Sequence, residues 1–243
     1  MRRRMRKAMV ILDKTLSEKI EKVYNEIESC LNAPVQISKL DVENQEDVMK
    51  PCYYDGRENL YVIKLDTELE DNLFENALIR NMIYCKQMAE GSPLLEANPK
   101  DHFAVNVAGM INSVILDINL ELQMKEYGIK LDEIDNMRMG DLFMFLRGDM
   151  AQTHRDMYNA MSSLQVILLH YTAENQDNVD QIIETFAISD PDLFEYIQKC
   201  TAIIDKYGCD TARGQMRCMR KIALALDMKD RMKIFYEGKA TLI

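Results

Sequence analysis

The chain has 243 residues, 47% hydrophobic and 29% charged, which supplies material for a sizeable core and argues against disorder. Nine Gly and five Pro are about half the usual share, which disfavours a turn-rich sandwich or barrel, and no apolar run approaches the roughly 18 residues of a membrane span. Five positive side chains among residues 1–7 leave residues 8–243 at −15 within a total of −10, so the body of the protein repels nucleic-acid backbones.

Arg2, Arg3, Arg4, Arg6 and Lys7 open a basic tail, residues 1–12. Its apolar stretch, Ala8 to Leu12, is too short for a signal-peptide core, so a cytoplasmic location is expected. Thr15-Leu16-Ser17-Glu18 has capping-box spacing, and Leu12, Leu16, Ile20, Val23, Ile27 and Leu31 predict one amphipathic helix ended by Asn32-Ala33-Pro34. Residues 35–40 alternate as a half-buried strand. Residues 60–65 predict a second strand after the Asp55-Gly56 turn signal, with Cys52-Tyr53-Tyr54 as a possible partner, in a small antiparallel sheet. An apolar helix over 68–89 is closed by Gly91 and Pro93, and a second over 103–127 by Gly128. Beyond Asp132 every signal is helical: 140–145, 150–171, 179–186, 190–207, 211–226 and a last turn near 228–236. The expected fold class is α+β, mostly α, with a small sheet packed on helices and an all-helical C-terminal half.

Cysteines at 30, 52, 85, 200, 209 and 218 lack the two-residue gap of a zinc knuckle or redox motif. They predict reduced core thiols, with Cys30 and Cys85 at apolar helical positions. His102 stands at a helix start, where exposure or capping is expected, and His154 lies in a polar run. His170 and Glu174 have the i, i+4 spacing of a metal pair without an identified third ligand, so a structural His is expected. Met137, Met139, Met144, Met150, Met157 and Met161 suit a helical core or, alternatively, an adaptable binding groove. The common motifs for phosphate binding after a strand and for serine hydrolysis are missing.

Two features point to a site. Asn72, Asn76, Arg80 and Tyr84 lie four apart and form a polar line on an otherwise apolar helix. On the next helix Asp117 stands among Val114, Leu116, Ile118 and Leu120, where a buried carboxylate needs a partner.

The order helix, strand, strand, then a helix beginning Leu73-Phe74-Glu75-Asn76-Ala77-Leu78-Ile79-Arg80, the Gly91-Ser92-Pro93 stop and a further apolar helix resembles the core of zincin-type metallopeptidases, over residues 13–135. In that family the active helix carries His-Glu-x-x-His, two metal ligands with the Glu as general base, and a third ligand follows on the next helix or loop. On this sequence the His places fall on Asn76 and Arg80 and the Glu place on Ala77. Asp117, in the stretch running to Glu126-Tyr127-Gly128, takes the place of the third ligand. Arg80 is permanently charged and Ala77 accepts no proton, so the resemblance implies a dismantled metal site with no catalytic residue, no metal and no cofactor. It also implies that the Arg80 guanidinium pairs with the Asp117 carboxylate.

The implied function is that of a non-catalytic zincin-like pseudoenzyme acting through contacts with a protein partner, without nucleic acid and without a membrane span. Residues 136–243 would form a helical region packed on the zincin-like part. Two further readings stay open: a metal-dependent hydrolase or peptidase whose ligands lie outside the usual motif, and a purely structural helical interaction protein.

Overall fold

In the computed structural model, which describes residues 8–147 and 155–243, the chain is α+β and mostly helical. It divides into two compact units, residues 1–90 and 91–243.

In the first unit, Leu12 and Asp13 both take left-handed backbone, φ 48° and 65°, and fold Val10–Ile11 (β1) back onto Lys14–Thr15 (β2). That turn removes the first part of the expected helix, which begins only at Glu18 and runs as Glu18–Glu28 (α1). Ser17, not Thr15, is the N-cap, and its Oγ accepts the Ile20 N–H at 3.4 Å. The capping-box Glu is replaced by a distant one: the Glu75 carboxylate accepts from the Ser17 N–H at 2.6 Å and from its hydroxyl at 3.1 Å. Because α1 stops at Glu28, Cys30 lies beyond it and is exposed rather than in the core.

Val35–Lys39 (β3), Cys52–Asp55 (β4) and Leu60–Leu65 (β5) form one sheet in the order β3-β5-β4, with the short helix Gln45–Met49 (α2) between the first two. The sheet is mixed, not antiparallel: β5 pairs antiparallel with β4 from Cys52↔Ile63 to Asp55↔Leu60, but parallel with β3 from Val35↔Tyr61 to Lys39↔Leu65. The crossover through α2 and β4 brings the chain back in the direction of β3, and alternation alone does not encode that sense. Tyr61, Val62, Ile63 and Leu65 are buried on both faces of the central strand. Asp71–Ala89 (α3) packs against α1, β4 and β5 through a stripe that includes the fully buried Phe74, Leu78 and Met82.

The second unit contains Leu94–Ala97 (β6), His102–Glu126 (α4), Asp132–Arg147 (α5), Arg155–Thr172 (α6), Gln176–Ser189 (α7), Pro191–Tyr207 (α8), Ala212–Ala225 (α9), Met232–Tyr236 (β7) and Lys239–Leu242 (β8). The expected last helical turn near 228–236 is therefore a strand, and the C-terminal half is not all helical. Met232 and Ile234 are buried while Lys233 is exposed, a period of two, and Glu237 and Gly238 (φ 50° and 70°) turn β7 into β8. β6 pairs antiparallel with β7 from Leu94↔Phe235 to Ala97↔Met232. This pairing ties the segment after Gly91 to the chain's end, so residues 91–135 group with the C-terminal helices.

α4 packs against α6, α9 and β6. Among the described residues it is the one helix long and apolar enough to cross a membrane by length and composition, and half of its most apolar stretch is buried inside the protein. Buried Asp117 and Glu121 lie within its apolar run.

Candidate functional site

Because α3 is continuous from Asp71 to Ala89, Asn72, Asn76, Arg80 and Tyr84 share one helical face. Asn72 is exposed, whereas Asn76, Ala77, Arg80 and Tyr84 are half-buried, and the line runs into the buried Gln87. Asn81 steadies the same turn: its Nδ2 donates to the Ala77 carbonyl at 3.0 Å, and its own carbonyl accepts from the Cys52 thiol at 3.6 Å. Chemically this face offers amides, a phenol and a guanidinium. Ala77 has no proton acceptor and Arg80 only donors, so neither a general base nor a pair of nitrogen ligands stands at positions 76, 77 and 80.

Arg80 belongs to the first unit and Asp117 to the second. Asp117 is 3% exposed on α4 and accepts the Ser113 hydroxyl, one turn earlier, at 2.9 Å. One turn later Glu121 is fully buried and accepts hydrogen bonds from both terminal guanidinium nitrogens of Arg138 on α5, at 3.0 and 2.7 Å. Arg138 also lies 3.9 Å from Asp135, itself 2% exposed, whose Oδ2 accepts the Glu174 backbone N–H at 3.3 Å. Burial pushes the Asp135 carboxyl up from the usual range. The Glu121 charge adds to this, while the Glu174 N–H and the Arg138 guanidinium oppose it. A hydrogen bond with Asp132 raises the Glu174 carboxyl in turn. Sequence reasoning missed this cluster although a signal was present: Glu121 sits at i+4 from Asp117 on the same apolar helix.

The histidines fall apart as a set. α6 ends at Thr172, so Glu174 lies beyond the helix and does not share a helical face with His170. The His170 ring meets the Tyr171 ring edge-on at 5.1 Å, and its Nδ1 is buried without a hydrogen-bond partner among the described residues. His102 is exposed, and capping of α4 falls to Asp101, whose carboxylate accepts the Ala104 N–H at 3.1 Å. His154 lies outside the described residues. Among those described, no group of three or more His, Cys, Asp or Glu side chains is arranged to hold a metal ion. Of the clustered methionines, Met139 is buried, Met161 half-buried and Met137 70% exposed, while the side chains of Met144, Met150 and Met157 lie outside the description.

Comparison with family models, with curated proteins and with solved structures returns no match to this chain.

Proposed function

We propose that this chain is a zincin-like pseudoenzyme that acts through protein contacts instead of catalysis. The reading rests on one observation, a continuous helix that follows a helix and a sheet and carries Asn76, Ala77 and Arg80, taken with the resemblance that aligns these three residues with two metal ligands and a base of a zincin. A guanidinium and a methyl group cannot polarise or deprotonate water, so what such a fold retains is its surfaces.

Restoring the motif tests this. Protein purified without a histidine tag is expected to contain no stoichiometric zinc and to leave generic protein substrates uncut. A variant combining Asn76→His, Ala77→Glu and Arg80→His is expected to take up about one zinc per chain. Stoichiometric zinc in the parent, with peptidase activity abolished by a chelator, would favour the metal-dependent peptidase instead. A restored motif that binds no zinc would remove the zincin reading and leave a helical interaction protein.

A further inference from the structure

The Cys52 and Cys85 thiols lie 3.5 Å apart, sulfur to sulfur, where β4 meets α3 within the first unit. Cys52 is half-buried at the start of its strand, and Cys85 is fully buried on the helix. We propose that these two thiols form a reversible intramolecular disulfide by exchange with a small-molecule disulfide, bolting α3 onto β4. This inference does not depend on the zincin reading.

Geometry and access both favour the pair. A disulfide needs the sulfurs at about 2.05 Å, so the gap to close is about 1.5 Å between elements already packed together. The roles of the two thiols differ. The hydrogen bond with Cys52 and burial push the Cys85 thiol well above the usual range, and its full burial seals it from reagents, so the first attack falls to Cys52. The Cys52 thiolate, its proton released to solvent, attacks one sulfur of the reagent R–S–S–R. The reagent's S–S bond breaks, a mixed disulfide forms on Cys52, and the departing thiolate takes up a proton. The Cys85 sulfur then attacks the Cys52 sulfur, the Cys52–reagent S–S bond breaks, and the Cys85 proton passes to the departing second thiolate, which leaves as a thiol. The balance is two protein thiols oxidised to one disulfide and one small disulfide reduced to two thiols.

The other cysteines lack this combination. Cys30 is exposed and bonded to the Glu26 carbonyl at 3.4 Å, and Cys200 is buried. Cys209 and Cys218 share a hydrogen bond, but both are buried. The bridge would clamp α3 five residues beyond Arg80, so the polar face of that helix would be held more rigidly in the oxidised protein.

The test uses the reduced full chain, with six free thiols, incubated with glutathione disulfide and mapped by mass spectrometry of non-reduced tryptic peptides. The expected result is a linked pair of peptides carrying Cys52 and Cys85, loss of two titratable thiols and full reversal by dithiothreitol. The oxidised chain should melt several degrees higher. Cys85→Ser should trap glutathione on Cys52, and Cys52→Ser should leave Cys85 unmodified. A chain that keeps its thiols, bridges another pair or carries a stable glutathione adduct on Cys52 with Cys85 intact would overturn the proposal. The peptide map of the unmutated chain decides this even if a variant fails to fold.

Discussion

Arg138 grips Glu121 with both terminal guanidinium nitrogens, Nη1 and Nη2, at 3.0 and 2.7 Å, while the Glu121 carboxylate has no exposed surface at all. This bond joins α4 to α5. Removing one member of a buried ion pair costs more than removing both, because the survivor keeps its desolvation penalty and loses its counter-charge. Arg138→Leu is therefore expected to destabilise the second unit by about 3 kcal/mol, and adding Glu121→Met to recover most of the loss. Urea unfolding followed by far-ultraviolet circular dichroism suits a chain without Trp. A double variant no more stable than Arg138→Leu alone would contradict this account.

At the other end of α4, Asp101 accepts two hydrogen bonds from Arg231, at 2.8 and 2.7 Å, besides capping the Ala104 N–H. The Arg231 hydrogen bonds, with the Ala104 N–H, hold the Asp101 carboxyl below its ordinary range. A carboxyl lowered in the folded state contributes stability that is fully present above the unfolded value of about 3.9 and lost as pH falls through the folded value. Asp101→Asn keeps a capping oxygen and removes the charge. It is expected to lower the melting temperature at neutral pH and to make the loss below about pH 4 shallower than in the parent. Equal acid slopes in thermal melts would sink the assignment.

Asp135 and Glu174 carry the opposite sign. Burial raises the first and the Asp132 hydrogen bond raises the second, so between about pH 3.9 and the raised values the folded state binds more protons than the unfolded one. Stability from these groups falls as pH rises through that window. Asp135→Asn removes a buried charge and retains an oxygen for the Glu174 N–H at 3.3 Å. The variant is expected to melt higher at neutral pH, and its melting temperature to change less between about pH 4 and 6. A variant that melts lower throughout would show that Arg138, 3.9 Å away, outweighs burial.

Helices with long apolar periodicity were legible in the sequence: α3 and α4 begin within three residues of their expected starts and end within one of their expected ends. There local pattern and tertiary burial agree. Where pairing between distant segments decides the structure, the sequence was silent. β6 and β7 find each other across 130 or more residues, and β3 runs parallel to β5 only because of the route taken through α2 and β4. The candidate site divides the same way. The polar line on α3 follows from helical spacing, whereas Cys52 beside Cys85, and Arg138 on Glu121, depend on how one element lies on another. Glu75 is the mixed case, a helical residue whose cap function belongs to Ser17 of a different helix.

Two helix glycines that look alike in sequence should behave oppositely. Gly109 lies inside α4, exposed, and a Cβ built there meets nothing within 4 Å. Gly109→Ala should therefore stabilise by about 0.5–1 kcal/mol, the cost of glycine's backbone freedom in a helix. Gly214 lies in the first turn of α9, its N–H bonded to the Thr211 hydroxyl at 3.1 Å. A Cβ on Gly214 would fall 2.6 Å from the Gly208 carbonyl oxygen and 2.7 Å from that of Tyr207. Those atoms are backbone at the corner where Gly208, with φ 71°, closes α8, so they cannot swing aside as a flexible side chain would. Gly214→Ala is expected to destabilise by about 1–3 kcal/mol despite alanine's better helix propensity. Paired melts of the two variants check both signs at once, and a Gly214→Ala protein as stable as the parent would mean that the corner between α8 and α9 is looser than these distances require.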